Sequence, residues 1–62
     1  MIIVMKESAT VAELGQVIKV LEERGFNPRP NHGAQRTVIG IMENSGGDLS
    51  GIADLPGVDQ IA

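Results

Sequence analysis

Cysteine, tryptophan and tyrosine are missing from the chain, and Phe26 is its one aromatic residue. Without cysteine there are no disulfides and no thiolate metal sites. A single histidine, His32, cannot supply a structural zinc set by itself. Long apolar runs are lacking too. The longest, residues 1–5, falls far short of the ~20 residues that span a membrane, and of a signal-peptide core. Positive charge is scarce: 5 Lys and Arg against 8 Asp and Glu leave a formal net charge of −3. Nothing in that balance attracts a polyanion. By default the expected compartment is the cytoplasm.

Only one domain, residues 1–62, fits this length. A domain so small buries only ~60% of the surface its unfolded chain exposes. Such domains usually add disulfides, a metal or a partner chain. With the first two unavailable, association is expected, with another copy of the chain or with the rest of a longer one.

Met1-Ile2-Ile3-Val4-Met5 is a β-branched apolar run suited to a central strand. Thr10 and Glu13 have capping-box spacing. Leu14, Val17, Ile18 and Leu21 then form one apolar helical stripe. Gly25, after Arg24, stands where a helix-ending glycine belongs, so the spacing predicts a helix over residues 11–24. Gly15 inside it costs about 1 kcal/mol relative to alanine, which a close approach of helix to sheet would explain.

Pro28 and Pro30 restrict residues 26–31 to an edge strand, because each removes a ladder donor. Residues 32–35 read as a turn, and residues 37–42 as a second central strand. Residues 44–47 read as a loop, with Asp48 or Ser45 capping a short helix lined by Leu49, Ile52, Ala53 and Leu55. Pro56-Gly57 ends it, and Val58-Asp59-Gln60-Ile61 begins the last strand. The order β-α-β-β-α-β is the α+β, ferredoxin-like sandwich, with an antiparallel sheet ordered 4-1-3-2 and two helices on one face. The apolar runs take its central slots and the prolines an edge. Strand 4 reads as truncated, leaving the edge of strand 1 incompletely covered.

Catalysis needs a base, a nucleophile or acid, and something to hold charge. His32 lies in a predicted turn, and serines occur only at positions 8, 45 and 50. Glu22 and Glu23 are helix neighbours and do not share a face. Asp48, Asp54 and Asp59 read as caps and surface. Gly46-Gly47 lacks the spacing and the lysine of a phosphate loop. Base-stacking aromatics are missing from the central strands, which removes RNA binding of the kind this fold supports. The acylphosphatase type of catalysis would need an arginine in the first loop, and residues 6–9 hold none.

One stretch concentrates unusual polar residues: Arg29, Asn31, His32, Gln35 and Arg36. Read plainly, it is a solvated hairpin whose prolines block edge-to-edge aggregation. Read more sharply, it is a binding surface, where arginine meets a carboxylate in bidentate fashion and asparagine offers donor and acceptor. A small amino acid needs that combination.

Met1-Ile2-Ile3-Val4-Met5-Lys6, Gly33-Ala34-Gln35-Arg36-Thr37-Val38-Ile39-Gly40-Ile41 and Leu55-Pro56-Gly57-Val58 together resemble the N-terminal domain of type I DAHP synthases (3-deoxy-7-phosphoheptulonate synthases). The resemblance needs no gap from Met1 to Ile41, and Arg36-Thr37-Val38-Ile39-Gly40 is its most specific stretch. It implies a ferredoxin-like regulatory domain ahead of a catalytic barrel. The complete enzyme would condense phosphoenolpyruvate with erythrose 4-phosphate, with a divalent metal, at the entry to the shikimate pathway of aromatic amino-acid synthesis. Catalytic residues and metal ligands would lie in the barrel, so the chain itself would hold no cofactor.

The resemblance further implies feedback inhibition by tyrosine or phenylalanine bound between domains of two subunits. Its effector positions fall on Arg29 and Asn31, with His32 beside them. Arg29 and Asn31 stand where a tyrosine-regulated member is expected to carry histidine and serine. The alternative is a free-standing ACT-like module that dimerises or binds a small molecule without catalysing anything.

Overall fold

The helix forms as its caps direct. In the computed structural model, which describes residues 1–41 and 48–62, α1 spans Val11–Glu23. The Glu13 amide donates to Thr10 Oγ1 at 3.1 Å, and the Thr10 amide to Glu13 Oε1 at 2.9 Å. The capping box therefore closes in both directions. At the other end Gly25 has φ +88°. There the Phe26 and Gly25 amides donate to the carbonyls of Leu21 and Glu22 at 3.0 and 3.1 Å. That pair of bonds is the Schellman motif, which glycine makes possible at the left-handed position. Phe26 is turned into the core by it.

Four strands, β1 (Ile2–Met5), β2 (Arg29–His32), β3 (Thr37–Gly40) and β4 (Val58–Ile61), pair antiparallel in the order β2-β3-β1-β4. This is the expected ferredoxin-like order read from the opposite edge. Ile3 opposes Ile39 on β3 and Ile61 on β4. Directly opposed residues share a face, so Ile3, Met5 and Ile39 point together toward α1, where Val17 and Leu21 meet them. Phe26, Ile41, Ile52 and Val58 complete the buried core, with Leu14 and Ile18 packed against it.

Four expectations are corrected. Gly15 is exposed, and a Cβ there would meet nothing within 4 Å, so no close approach to the sheet explains it. The second helix shrinks to a single 3₁₀ turn, Ile52–Asp54. Gly51 at φ +80° precedes it and Pro56 follows, which leaves too few residues for an α-helical ladder. Asp48 caps no helix: its Oδ1 accepts from the Ser50 amide and hydroxyl at 3.0 and 2.8 Å, closing a local turn. Arg24 Nη1 clasps that turn by donating to the carbonyls of Asp48 and Ser50 at 2.7 and 2.8 Å. Finally, β4 covers the whole edge of β1. Lys6 donates to the Gly57 carbonyl at 2.7 Å, and Ile2 and Ala62 exchange bonds of 3.0 and 2.8 Å. Met42, the loop at residues 44–47 and Ser45 as a cap lie outside the described residues.

The prolines sit where a ladder tolerates them. The Gly33 amide donates to the Arg36 carbonyl at 3.0 Å, and hydrogen-bonded pairs alternate along an antiparallel ladder. Arg29 and Asn31, opposite Gly40 and Val38, therefore turn their backbone groups toward β3. Pro30 and His32 turn theirs outward, and continuing the alternation sets Pro28 outward as well.

Candidate functional site

The side-chain period of β2 divides the residues singled out by the sequence. Pro30 and His32 oppose Ile39 and Thr37 and lie on the α1 side of the sheet. Arg29 and Asn31 oppose Gly40 and Val38 and lie on the other side, which no helix covers. They share that face with Ile2 and Val4 of β1, Val38 of β3 and Gln60 of β4. Both Arg29 and Asn31 are exposed, and neither side chain bonds to any described residue. Gly40 beside Arg29 contributes no side chain, so the guanidinium has room to turn over the sheet. Ile2 is 45% exposed, which makes the middle of this face apolar and wet.

Arg36 belongs to the same face by alternation but is engaged. Its Nη1 donates to Asp59 Oδ2 at 3.1 Å, joining the start of β3 to β4 across the end of β1. With side-chain exposures of 41% and 45%, such a pair contributes about 0–1 kcal/mol. Its geometric effect is larger, since it withdraws Arg36 from any ligand on the open face.

His32 stands apart. On the α1 side its Nδ1 lies 3.1 Å from Thr37 Oγ1, and its residue lines a cleft of about 220 Å³ between the β1–α1 connection and the tip of the β2–β3 hairpin. The three effector candidates are thus two on one face and one on the other. Sequence reasoning passed over the rest of that cleft, including Lys6, Glu7 and Leu14. The topology carried the missing signal, because pairing β1 with β3 brings the loop after Met5 beside the hairpin.

Among the described residues no three His, Cys, Asp or Glu side chains stand together as metal ligands. No described helix is long and apolar enough to cross a membrane.

The decisive comparison is with protein families. The family model of the DAHP synthase ferredoxin-like domain matches residues 1–62. The chain belongs to that family. The match bears out the resemblance read from the opening strand, the Arg36–Gly40 segment and the Leu-Pro-Gly-Val close. A search of curated proteins gives no match to the chain. In this DAHP synthase ferredoxin-like domain Arg29 and Asn31 stand together on the open face of the sheet, with His32 in the cleft behind.

Proposed function

We propose that this domain regulates a DAHP synthase, the enzyme at the entry to the shikimate pathway, by taking up an aromatic amino acid between two copies of itself. The supporting observation is the pair formed by Arg29 and Asn31 on an uncovered face, without partners among the described residues. Arg29 would clamp the α-carboxylate in bidentate fashion, and Asn31 would meet the polar end of the ligand with a donor and an acceptor. Ile2, Val4 and Val38 would lie under the ring. His32, behind the strand, takes no part in that contact.

An open sheet face cannot enclose a ligand alone, whereas small-molecule sites bury most of their ligand's surface. A second domain facing the first supplies the missing wall, which is the physical reason for a shared site and for a homo-oligomer. In an assembled enzyme the two half-sites are held at high effective concentration, worth 10²–10⁴ in apparent affinity by general experience with linked sites, roughly. The isolated chain is accordingly expected to bind tyrosine or phenylalanine weakly by calorimetry. Replacing Arg29 with alanine in the complete enzyme should relieve inhibition and leave uninhibited turnover unchanged. Inhibition that survives Arg29→Ala, or tight binding to a monomeric domain, would sink this reading.

A further inference from the structure

The cleft on the α1 side is a second place where a ligand can be held, and its lining has a definite chemical character. Ala9 and Leu14 give it an apolar floor, while Lys6, Glu7, His32 and Gln35 border it. Lys6 and Arg36 are the cationic residues of its lining, and their engagements differ. Arg36 holds Asp59. The Lys6 ammonium bonds to no described residue. His32 is anchored through Nδ1 to the Thr37 hydroxyl, which leaves Nε2 as the ring atom open to a ligand. Around the same opening, the backbone amides of Glu7, Val11, Ala34 and Gln35 donate to no described group. Glu7 is the one carboxylate among the lining residues, against the unpaired Lys6 ammonium.

We propose that this cleft binds a small organic anion, its carboxylate or phosphoryl oxygens held between the Lys6 ammonium and the His32 ring, its carbon skeleton against Ala9 and Leu14. A cation would face Lys6 and a row of N–H groups, and an uncharged apolar ligand would leave those donors without acceptors. The volume, about 220 Å³, suits a metabolite smaller than the drug-sized ligands of typical pockets. Anchoring of the imidazole by Thr37 lowers the conformational entropy lost when a ligand bonds to it. The cleft and the Arg29–Asn31 face lie on opposite sides of the sheet, so the two sites stand or fall separately.

The test uses nuclear magnetic resonance on the whole 62-residue chain, with inorganic phosphate and acetate as probes and chloride at matched ionic strength as the blank. Its one histidine makes the ring signals unambiguous. The expected result is a saturable shift of the His32 ring resonances together with the amides of Glu7, Val11, Ala34 and Gln35. Lys6→Met should weaken the response about tenfold, the loss of one charge-assisted bond, while Lys19→Met leaves it unchanged. Saturation by phosphate alone assigns a phosphoryl group, and by acetate alone a carboxylate. Absence of saturation with both probes, shifts reproduced by chloride, or a Lys6→Met chain that binds as the parent does would each overturn the proposal.

Discussion

Gly57 leaves room for Glu13. A Cβ built on Gly57 would stand 3.0 Å from the Glu13 Cβ, 3.1 Å from its Oε1 and 3.3 Å from the Ala9 Cβ. The same Oε1 receives the Thr10 amide that starts α1, so the turn before β4 is fitted against the helix cap. Gly57 also has φ +88°. Left-handed backbone costs a non-glycine residue roughly 1–3 kcal/mol where the surroundings enforce it.

Gly57→Ala is therefore expected to destabilise the domain by at least that amount, read as a lower urea midpoint at unchanged slope. Combining it with Glu13→Ala in a double-mutant cycle separates crowding from backbone strain. If crowding contributes, the two substitutions together should cost less than the sum of the singles.

Gly15 invites the opposite change. It is exposed, mid-helix and free of neighbours on the side where a methyl would point. Gly15→Ala should stabilise by about 0.5–1 kcal/mol through helix propensity, seen as a higher thermal midpoint. A neutral or lower midpoint would overturn this expectation.

Leu21 tests how thin the core is. Its side chain is fully buried between the sheet and the Schellman turn. Leucine-to-alanine changes at such sites cost about 2–5 kcal/mol, and a domain of 62 residues has roughly 3–9 kcal/mol in total. Leu21→Ala is expected to leave a large unfolded fraction at room temperature, measurable by far-ultraviolet circular dichroism. Val11→Ala, at an 88% exposed position, should change little.

Asp48 supplies a pH signature. The Ser50 hydroxyl first and the Ser50 amide second, both donating to its carboxylate, hold its pKa below the ordinary value. A carboxylate depressed in the folded state adds stability above its unfolded pKa, and that stability is lost as pH falls through the folded value. The turn at residues 48–50 should accordingly persist at neutral pH and loosen only in acid, below about pH 4. Carbon-detected titration of the Asp48 carboxyl should give a midpoint below that of an unstructured peptide. Asp48→Asn should abolish the acid transition at Ser50.

Much of this was legible in the sequence where local chemistry and tertiary packing agree. Thr10, Glu13 and Gly25 mark the two ends of α1, and the β-branched runs at residues 2–5 and 37–40 became the two central strands. The prolines marked β2 as an edge for the reason the ladder confirms. Legibility failed where the outcome depends on three-dimensional neighbours. Leu49, Ile52 and Leu55 have helical spacing, yet Gly51 in the left-handed region and Pro56 confine the segment to a 3₁₀ turn. Likewise Arg29, Asn31 and His32 are near neighbours in sequence, and the two-residue period of a strand sends His32 to the opposite face. No pattern in the chain announced that Gly57 would rest on Glu13.

The outward set of Pro30 and, by alternation, Pro28 has a consequence for how copies of this sheet can accumulate. A strand arriving beside β2 would find His32 as the first outward amide and no donor at the proline positions. On the far edge, the Ile61 backbone is turned away from β1, because the Ile2–Ala62 exchange fixes the phase there. One margin of the sheet thus carries its full set of donors, and the other keeps a donor only at His32. Two copies joined at their β4 margins expose only donor-poor ends, so edge pairing is disfavoured beyond a closed pair.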